Sequence, residues 1–277
     1  MAITASDVNK LRQQTGAGMM DCKNALVEAN GDFEAAVDIL RKKGQKIAAK
    51  RGDNDAKEGV IIAQASADGK SGVILTLNCE TDFVAKNDGY VAMVQSLVDI
   101  ALDKLPATVE ELKALPYDAR LSVEEKITEQ VGVVGEKLDL SGYAVMNSNF
   151  VVAYNHPGNQ LATLVGLSSR TAADIAEAGR QVAMQVAAMN PIAIDKDGVD
   201  ARTIEREIEV GKDLAIQEGK PAEMAEKIAL GRLNKFFQEN TLLSQAFVRD
   251  NKMTVEQFLN STEKELTVTD FKRFSLS

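Results

Sequence analysis

The segments Val60-Ile-Ile-Ala-Gln-Ala65 and Val73-Ile-Leu-Thr-Leu77 decide the fold of this 277-residue chain. Both are short runs rich in β-branched residues, and Asp68-Gly69 between them is typical of a tight hairpin turn. Periodic apolar residues after the second run indicate a helix that ends near Leu105-Pro106. We therefore predict a β-hairpin followed by a helix.

The same order of elements occurs again later in the chain. Residues Val151–Tyr154 and Leu161–Leu167 form two further β-rich runs, and the turn residues His-Pro-Gly-Asn separate them at positions 156–159. A helical pattern follows from about residue 172 to residue 189 and stops at Asn-Pro. The second region thus predicts another hairpin with a helix behind it.

The spacing of the two regions is constant. The hairpins begin 91 residues apart, and the tripeptide Val-Ala-Met at residues 91–93 recurs at 182–184 with the same offset. A matching order of elements at a matching offset indicates an internal duplication. The sequence therefore predicts an α+β fold with two related halves, residues 56–142 and 143–277.

The first 44 residues have the pattern of three short helices. Asp32 suits the N-cap of the third helix, and Gly44, after a run of basic residues, is predicted to end it. Residues 45–57 are polar and lack sustained periodicity, which is typical of a linker. We therefore expect residues 1–55 to form a three-helix module with its linker, an arrangement common in adaptor domains.

Residues 198–239 interrupt the second half. Their apolar residues follow helical spacing on both sides of Gly219-Lys220-Pro221, which predicts two antiparallel helices joined by a tight turn. Gly211 and Gly231 are expected to let these helices approach closely. Residues 122–138, between the two halves, are also predicted to be helical, and strand patterns return near the C-terminus at about residues 246–248 and 266–274.

The composition limits the partners that we expect. The formal net charge is −9, and an acidic chain lacks the cations that nucleic-acid binding requires, so we expect no direct contact with nucleic acid. No apolar run approaches the roughly 20 residues that span a bilayer, so we expect no membrane insertion. No secretory signal pattern and no metal or redox cysteine spacing are found, which predicts a reducing cytoplasm.

A search for catalytic residues yields few candidates. The chain has one histidine, His156, and two cysteines, Cys22 and Cys79, and no spacing joins them as a nucleophile and its base. Gly69-Lys70-Ser71 lacks the earlier glycine and the following helix of a phosphate-binding loop. We therefore expect no enzyme activity, no metal and no other cofactor, while a thiol-dependent transferase using Cys79 remains an alternative.

Two segments have residue patterns with two interpretations each. Met19 and Met20 follow a glycine-rich turn, and they either fill the small helical core or form an adaptable contact surface. In the stretch from Thr81 to Lys86, Thr81 suits an N-cap and Phe83 either packs into the core or points outward to a partner. The residue pattern leaves both choices open.

Three stretches resemble the bacterial elongation factor Ts family. The first, at residues 10–26, is Lys-Leu-Arg-Gln-Gln-Thr-Gly-Ala-Gly-Met-Met-Asp-Cys-Lys-Asn-Ala-Leu. The second, at residues 78–86, is Asn-Cys-Glu-Thr-Asp-Phe-Val-Ala-Lys. The third is Gly-Lys-Pro at residues 219–221, followed by Ala-Glu-Lys-Ile at 225–228. The resemblance covers essentially the whole chain in order.

This resemblance implies a function and a partner. The family accelerates release of GDP from elongation factor Tu, a translational GTPase, and holds no nucleotide itself. It also implies a ubiquitin-associated-like three-helix module, a duplicated α+β core and a protruding helical pair, through which self-association stays open. The implied site residues are Thr81, Asp82, Phe83 and Val84 in a wedge against the nucleotide domain, Arg12, Met19 and Met20 holding that domain, and His156 touching another domain.

An adaptor without exchange activity is the alternative to this function. It would use the three-helix module to bind some other protein, and it would need Phe83 buried in its own core. The exposure of Phe83 therefore distinguishes the two hypotheses.

Overall fold

The structure of the chain, a computed structural model, describes residues 3–276, apart from the side chain of residue 222. Helices and small β-sheets alternate along the chain, which confirms the predicted α+β fold. The chain divides into two compact units: the first contains 3–62, Leu75–Ala144 and Leu276, and the second contains Ala63–Ile74 and Val145–Ser275. The predicted boundaries at residues 55 and 142 stay predictions.

Three helices form the N-terminal module: α1 (Ala5–Thr15), α2 (Met19–Glu28) and α3 (Phe33–Arg51). Thr4 and Asp7 form a capping box at the start of α1, and the carboxylate of Asp32 caps α3 as predicted, at 2.9 Å from the amide of Glu34. These caps satisfy amides that a helix leaves unpaired. The small core of the module comprises Val8, Leu11, Ala17, Cys22, Ala25, Leu26, Ala36 and Val37.

The next region contains the first predicted hairpin and its helix. The buried residues of the predicted helix lie on one face, as their spacing requires. The helix predicted over residues 122–138 is confirmed, whereas the strand that follows it was not predicted. The elements are β1 (Glu58–Ala65), β2 (Ser71–Cys79), α4 (Asp82–Ala85), α5 (Asp88–Lys104), α6 (Val109–Ala114), α7 (Val123–Val134) and β3 (Asp139–Asn147), and the sheet order is β1-β2-β3.

The prediction that Gly44 ends the third helix is wrong. Helix α3 continues to Arg51, because the residues after Gly44 are mostly strong helix formers and the helix packs along α7. A Cβ atom at Gly44 would lie 3.0 Å from the carbonyl oxygen of Thr128, and one at Gly132 would lie 2.8 Å from the Cα atom of Gly44. Gly44 thus permits close contact between two helices instead of ending one, and the predicted linker is helical up to Arg51.

The second hairpin and helix lie in the second unit, as β4 (Phe150–Asn155), β5 (Leu161–Leu167) and α8 (Ile175–Met189). Strands β4 and β5 are antiparallel, with Phe150 opposite Leu167. This part of the chain repeats the predicted hairpin-then-helix order.

The helical hairpin predicted within residues 198–239 is confirmed as α9 (Ala201–Gln217) and α10 (Ala222–Asn240). A Cβ atom at Gly211 would lie 3.1 Å from the Cα atom of Ala229, so this glycine permits close helix contact. The same prediction for Gly231 is wrong, because a Cβ atom there would meet no atom within 4 Å. No helix among the described residues is long and apolar enough to cross a membrane.

The C-terminal region completes the second unit. Strand β8 pairs antiparallel with β5, so the sheet order is β4-β5-β8, and a separate two-stranded sheet lies before α11. Helices α8 and α11 contribute to one apolar core with this sheet. The elements are β6 (Ala246–Phe247), β7 (Asp250–Thr254), α11 (Val255–Thr262) and β8 (Val268–Ser275).

Candidate functional site

Helix α4 presents an exposed aromatic side chain. The strand before it is buried almost throughout, and Tyr90 in the next helix is also buried. Phe83 lies between them on the single turn of α4, yet it is 84% exposed. A single exposed apolar residue is ordinary on a protein surface, but Phe83 follows a segment that hydrogen bonds hold in place, so its ring is available for contact with a partner. The interpretation of Phe83 as a core residue is wrong.

The start of α4 is held by a distant glutamate. Thr81 occupies the N-cap position of α4, as predicted, but its side chain makes no capping bond to the helix. Its hydroxyl donates instead to Oε1 of Glu136 at 2.7 Å. Oε2 of Glu136 accepts from the amides of Glu80 and Thr81 at 3.2 and 3.0 Å. We call these three hydrogen bonds to Glu136 the Glu136 latch.

The neighbouring Glu80 connects the same segment to the end of α3. Both of its carboxylate oxygens accept from Nη1 of Arg51, at 2.9 and 2.8 Å, and one also accepts from Asn54. The amide of Lys137 donates to Glu80 at 2.6 Å, and this bond, together with Arg51, holds the pKa of Glu80 below its usual range. The Lys137 side chain donates to the carbonyl of Gly52 at 2.7 Å.

An ion pair between Asp82 of α4 and Lys86, the residue that ends the helix, lies beside Phe83. The Lys86 ammonium lies 2.6 Å from Oδ2 of Asp82, and this bond lowers the pKa of the Asp82 carboxyl. Both groups are largely in solvent, so salt screens their attraction. Val84 is half-buried beside them. The turn therefore offers an apolar ring next to an ion pair.

Cys79 does not have the environment of a nucleophile. Its thiol is buried, and burial raises its pKa to about 11. The sulfur donates a weak hydrogen bond to the carbonyl of Thr81 at 3.2 Å. Because the thiolate is disfavoured there, these observations argue against the thiol-dependent transferase.

A second exposed surface lies on the three-helix module. Met20 is 63% exposed and Met19 is 47% exposed, so the interpretation of these residues as core filling is wrong. Arg12 on α1 is also exposed. Val27, which was not predicted to belong to this surface, is 57% exposed and lies seven residues after Met20, two helical turns along the same face. That spacing was the available signal.

His156 belongs to the second unit, where it is exposed in the turn between β4 and β5. Its Nδ1 atom lies 2.9 Å from the hydroxyl of Tyr154, and the two rings meet edge to face. A protein partner can therefore reach this histidine from solvent. Within residues 3–276, no group of three or more metal-binding side chains is placed to hold an ion.

Glu136 and Lys137 were not among the predicted site residues. They contact Thr81 and Glu80 across 55 and 57 positions of the chain, and no local pattern encodes such contacts.

The chain is similar to known proteins along almost its whole length. A family model described as elongation factor TS matches residues 80–277. The chain is 54% identical to the elongation factor Ts of Amoebophilus asiaticus, over 99% of this chain and 98% of that relative. It is 50% identical to that of Christiangramia forsetii, with the same coverage, and 51% identical to that of Cytophaga hutchinsonii, over 99% of both chains.

Proposed function

This chain belongs to the elongation factor Ts family and is a translation elongation factor, and we propose that it acts as a guanine-nucleotide exchange factor for the GTPase elongation factor Tu. The observation that carries this proposal is the exposure of Phe83 on a turn that is held by several hydrogen bonds. A side chain so placed can enter a partner without unfolding any part of its own core.

The proposed mechanism is insertion of Phe83 into the GTPase. Full burial of a phenylalanine side chain stabilises a complex by roughly 1.5–3 kcal/mol. In this mechanism the receiving pocket is open only when the magnesium and phosphate site of the GTPase is distorted, so binding favours loss of GDP. Reciprocity then requires that bound GDP weakens binding of the factor to the same extent. Magnesium and nucleotide are held by the GTPase, and no covalent step is needed.

The exposed surface that contains Arg12, Met19 and Met20 is proposed to bind the nucleotide domain of the GTPase. Methionine side chains adapt to an apolar partner surface at little conformational cost, and the two are exposed here. Arg12 can pair with a carboxylate or a helix C-terminus of the partner. His156 is proposed to contact another domain. Self-association through α9 and α10 stays a prediction.

The adaptor hypothesis requires Phe83 to be buried, and Phe83 is 84% exposed. That requirement is not met, so the exchange function is the better supported of the two.

The proposal is tested by the release of a fluorescent GDP analogue from purified elongation factor Tu. A substoichiometric amount of the factor should accelerate release of all the bound analogue, since each molecule acts repeatedly. The M19A/M20A double variant should raise the half-saturating GTPase concentration, whereas Leu230→Ala, which truncates an exposed side chain on α10, serves as the control. Release at the intrinsic rate in the presence of folded factor would contradict the proposal.

A further inference from the structure

Resting on the proposed exchange function, we infer that Glu136 is a positioning residue for exchange, which holds the start of α4 so that Phe83 meets the GTPase in one orientation. Glu136 does not touch the partner in this proposal. It acts through Glu80 and Thr81, the two residues that precede the wedge.

The contacts of the Glu136 latch suit this role. Helix α4 has only four residues and none of them is buried, so packing against the core does not fix its direction. An isolated helical turn of this length is not stable by itself. The Glu136 carboxylate accepts two hydrogen bonds from backbone amides and one from the Thr81 hydroxyl, and together these fix the backbone just before Phe83. Glu136 therefore holds the segment that orients Phe83, in addition to the contacts that Glu80 makes with Arg51 and Lys137.

The position of Glu136 is set by the end of α7. It follows Gly135, whose left-handed backbone (φ 74°) ends α7 and turns the chain back. Helix α7 packs closely on α3 through the Gly132–Gly44 contact. The wedge and the three-helix module are thus both attached to α7. When the module binds the GTPase, Phe83 is then already near its pocket, and little orientational freedom has to be lost.

This arrangement predicts which kinetic constant depends on Glu136. The factor first binds the GDP-bound GTPase through its other surfaces, which the latch does not form. Insertion of Phe83 and loss of GDP come after this step, and these need the ordered turn. Loss of the latch should therefore lower the maximal rate of GDP release much more than it changes the half-saturating concentration.

The second unit contains a matched control. Oε1 of Glu263 accepts from the hydroxyls of Ser169 and Thr171, both at 2.7 Å, and Oε2 accepts from the amide of Ala172 at 3.1 Å. Removal of this carboxylate also deletes three hydrogen bonds, but the one aromatic residue among the exposed large hydrophobic residues that the structure describes is Phe83, which lies outside this segment. Glu263→Ala therefore reproduces the structural loss without touching the wedge.

The experiment measures GDP release from elongation factor Tu by stopped flow over a range of GTPase concentrations. The proteins compared are the parent, Glu136→Ala, Glu136→Gln and Glu263→Ala. Glu136→Ala is expected to lower the maximal rate by roughly tenfold, since small misplacement of a positioned group can cost up to about 100-fold. The half-saturating concentration should change by less than about threefold.

Glu136→Gln tests whether geometry or charge matters. The amide oxygen can accept from both backbone amides, while the amide nitrogen can donate to the hydroxyl of Thr81. We therefore expect this variant to stay within about threefold of the parent, and Glu263→Ala to match the parent at saturation. If Glu136→Ala does not fold, Thr81→Val, which removes only the hydroxyl bond, replaces it and should lower the maximal rate by a smaller factor.

Three results would overturn the inference, and they have different meanings. A folded Glu136→Ala, or Thr81→Val in its place, with the parent's maximal rate would refute the positioning role and leave the exchange function intact. Failure of the parent itself to accelerate release would refute the exchange function and the positioning role together. An equal loss in Glu263→Ala would also refute the positioning role, since stability alone would then explain the effect.

Discussion

The segments after β2 and β5 are built alike up to a point. The amide of Thr81 donates to Glu136, and the amide of Ala172, 91 residues later, donates to Glu263. Hydroxyl groups beside both amides bind the same two carboxylates. The two amide donors share the 91-residue offset of the predicted internal repeat, whereas the two carboxylates that accept from them lie 127 positions apart.

The two segments differ in the element that comes next in the chain. In the second unit the chain enters α8 directly, and Ile175 and Ala178 are buried in its first turn. In the first unit the corresponding residues form α4, and α5 begins only at Asp88. The position 91 residues after Phe83 is Asp174, just before α8. A similar hydrogen-bonded segment therefore precedes a packed helix in the second unit and an exposed aromatic residue in the first.

The strongest test of this comparison exchanges nothing but the two corresponding side chains for alanine. Phe83→Ala should slow exchange by roughly 10- to 150-fold, the equivalent of a lost burial energy of about 1.5–3 kcal/mol. Asp174→Ala should have no effect on exchange, because that exposed residue makes no side-chain capping bond. The GDP-release assay measures both variants, after circular dichroism has verified their folding. Comparable losses in both would end the assignment of function to α4.

A second test concerns stability. Gly179 of α8 lies against the sheet, and a Cβ atom there would be 2.5 Å from Cγ2 of Val152. Gly179→Ala should lower the free energy of unfolding by roughly 1–3 kcal/mol through overpacking. The residue 91 positions earlier is Asp88, which is exposed, so Asp88→Ala should cost about 1 kcal/mol or less, through the helix dipole. Urea unfolding compares the two variants, and equal costs would show that α5 and α8 pack alike at this point.

A third test uses acid. Hydrogen bonds from Thr171 and Ser169 hold the pKa of Glu263 below its usual value of 4.5. A group with a lowered folded pKa stabilises the fold above its unfolded pKa, and this stabilisation is lost as the pH falls through the folded value. When the pH is lowered from 7 to below 4.5, the urea midpoint of Glu263→Gln should therefore fall less than that of the parent. Glu205→Gln, on the exposed face of α9, is the control and should behave as the parent does.

The smallest expected effect concerns the ion pair on α4. Lys86→Met removes the partner of Asp82, but exposed pairs of this kind contribute little because water and salt screen them. The thermal midpoint should stay within about 1 °C of the parent value. A fall of several degrees in a thermal unfolding experiment would mean that this pair, and not the Glu136 latch, holds α4.

Much of the fold could be predicted because its signals are local. The hairpin turn at Asp68-Gly69, the cap at Asp32 and the turn before Pro221 each depend on a few adjacent residues, and all are confirmed. Gly44 shows the limit. A glycine after basic residues has the pattern of a helix end, and only its contact with Gly132 reveals a packing role.

The exposed residues of the candidate site could be predicted from the sequence, but the hydrogen bonds that hold them in place could not. The pattern from Thr81 to Val84 identified the segment, but it left open whether Phe83 is buried, because one turn of helix has no periodicity to decide the question. The Glu136 latch depends on residues 55 positions apart, and the acidic chain offers many other carboxylates. Strand β3 was missed for a similar reason, since most of its residues are only partly buried and give no clear alternation.

The buried thiols give the chain two internal reporters of local opening. Cys22 and Cys79 are its only cysteines, and both are shielded in the folded state. The sulfur of Cys79 donates to the carbonyl of Thr81, so opening of the segment from Thr81 to Val84 removes one of the contacts that shield this thiol from a reagent. The rate of labelling at Cys79 therefore reports local opening around the end of β2 and α4, and labelling at Cys22 gives the same measure for the three-helix core. Both rates can be followed on the natural sequence, free or bound to the GTPase, without any engineered label.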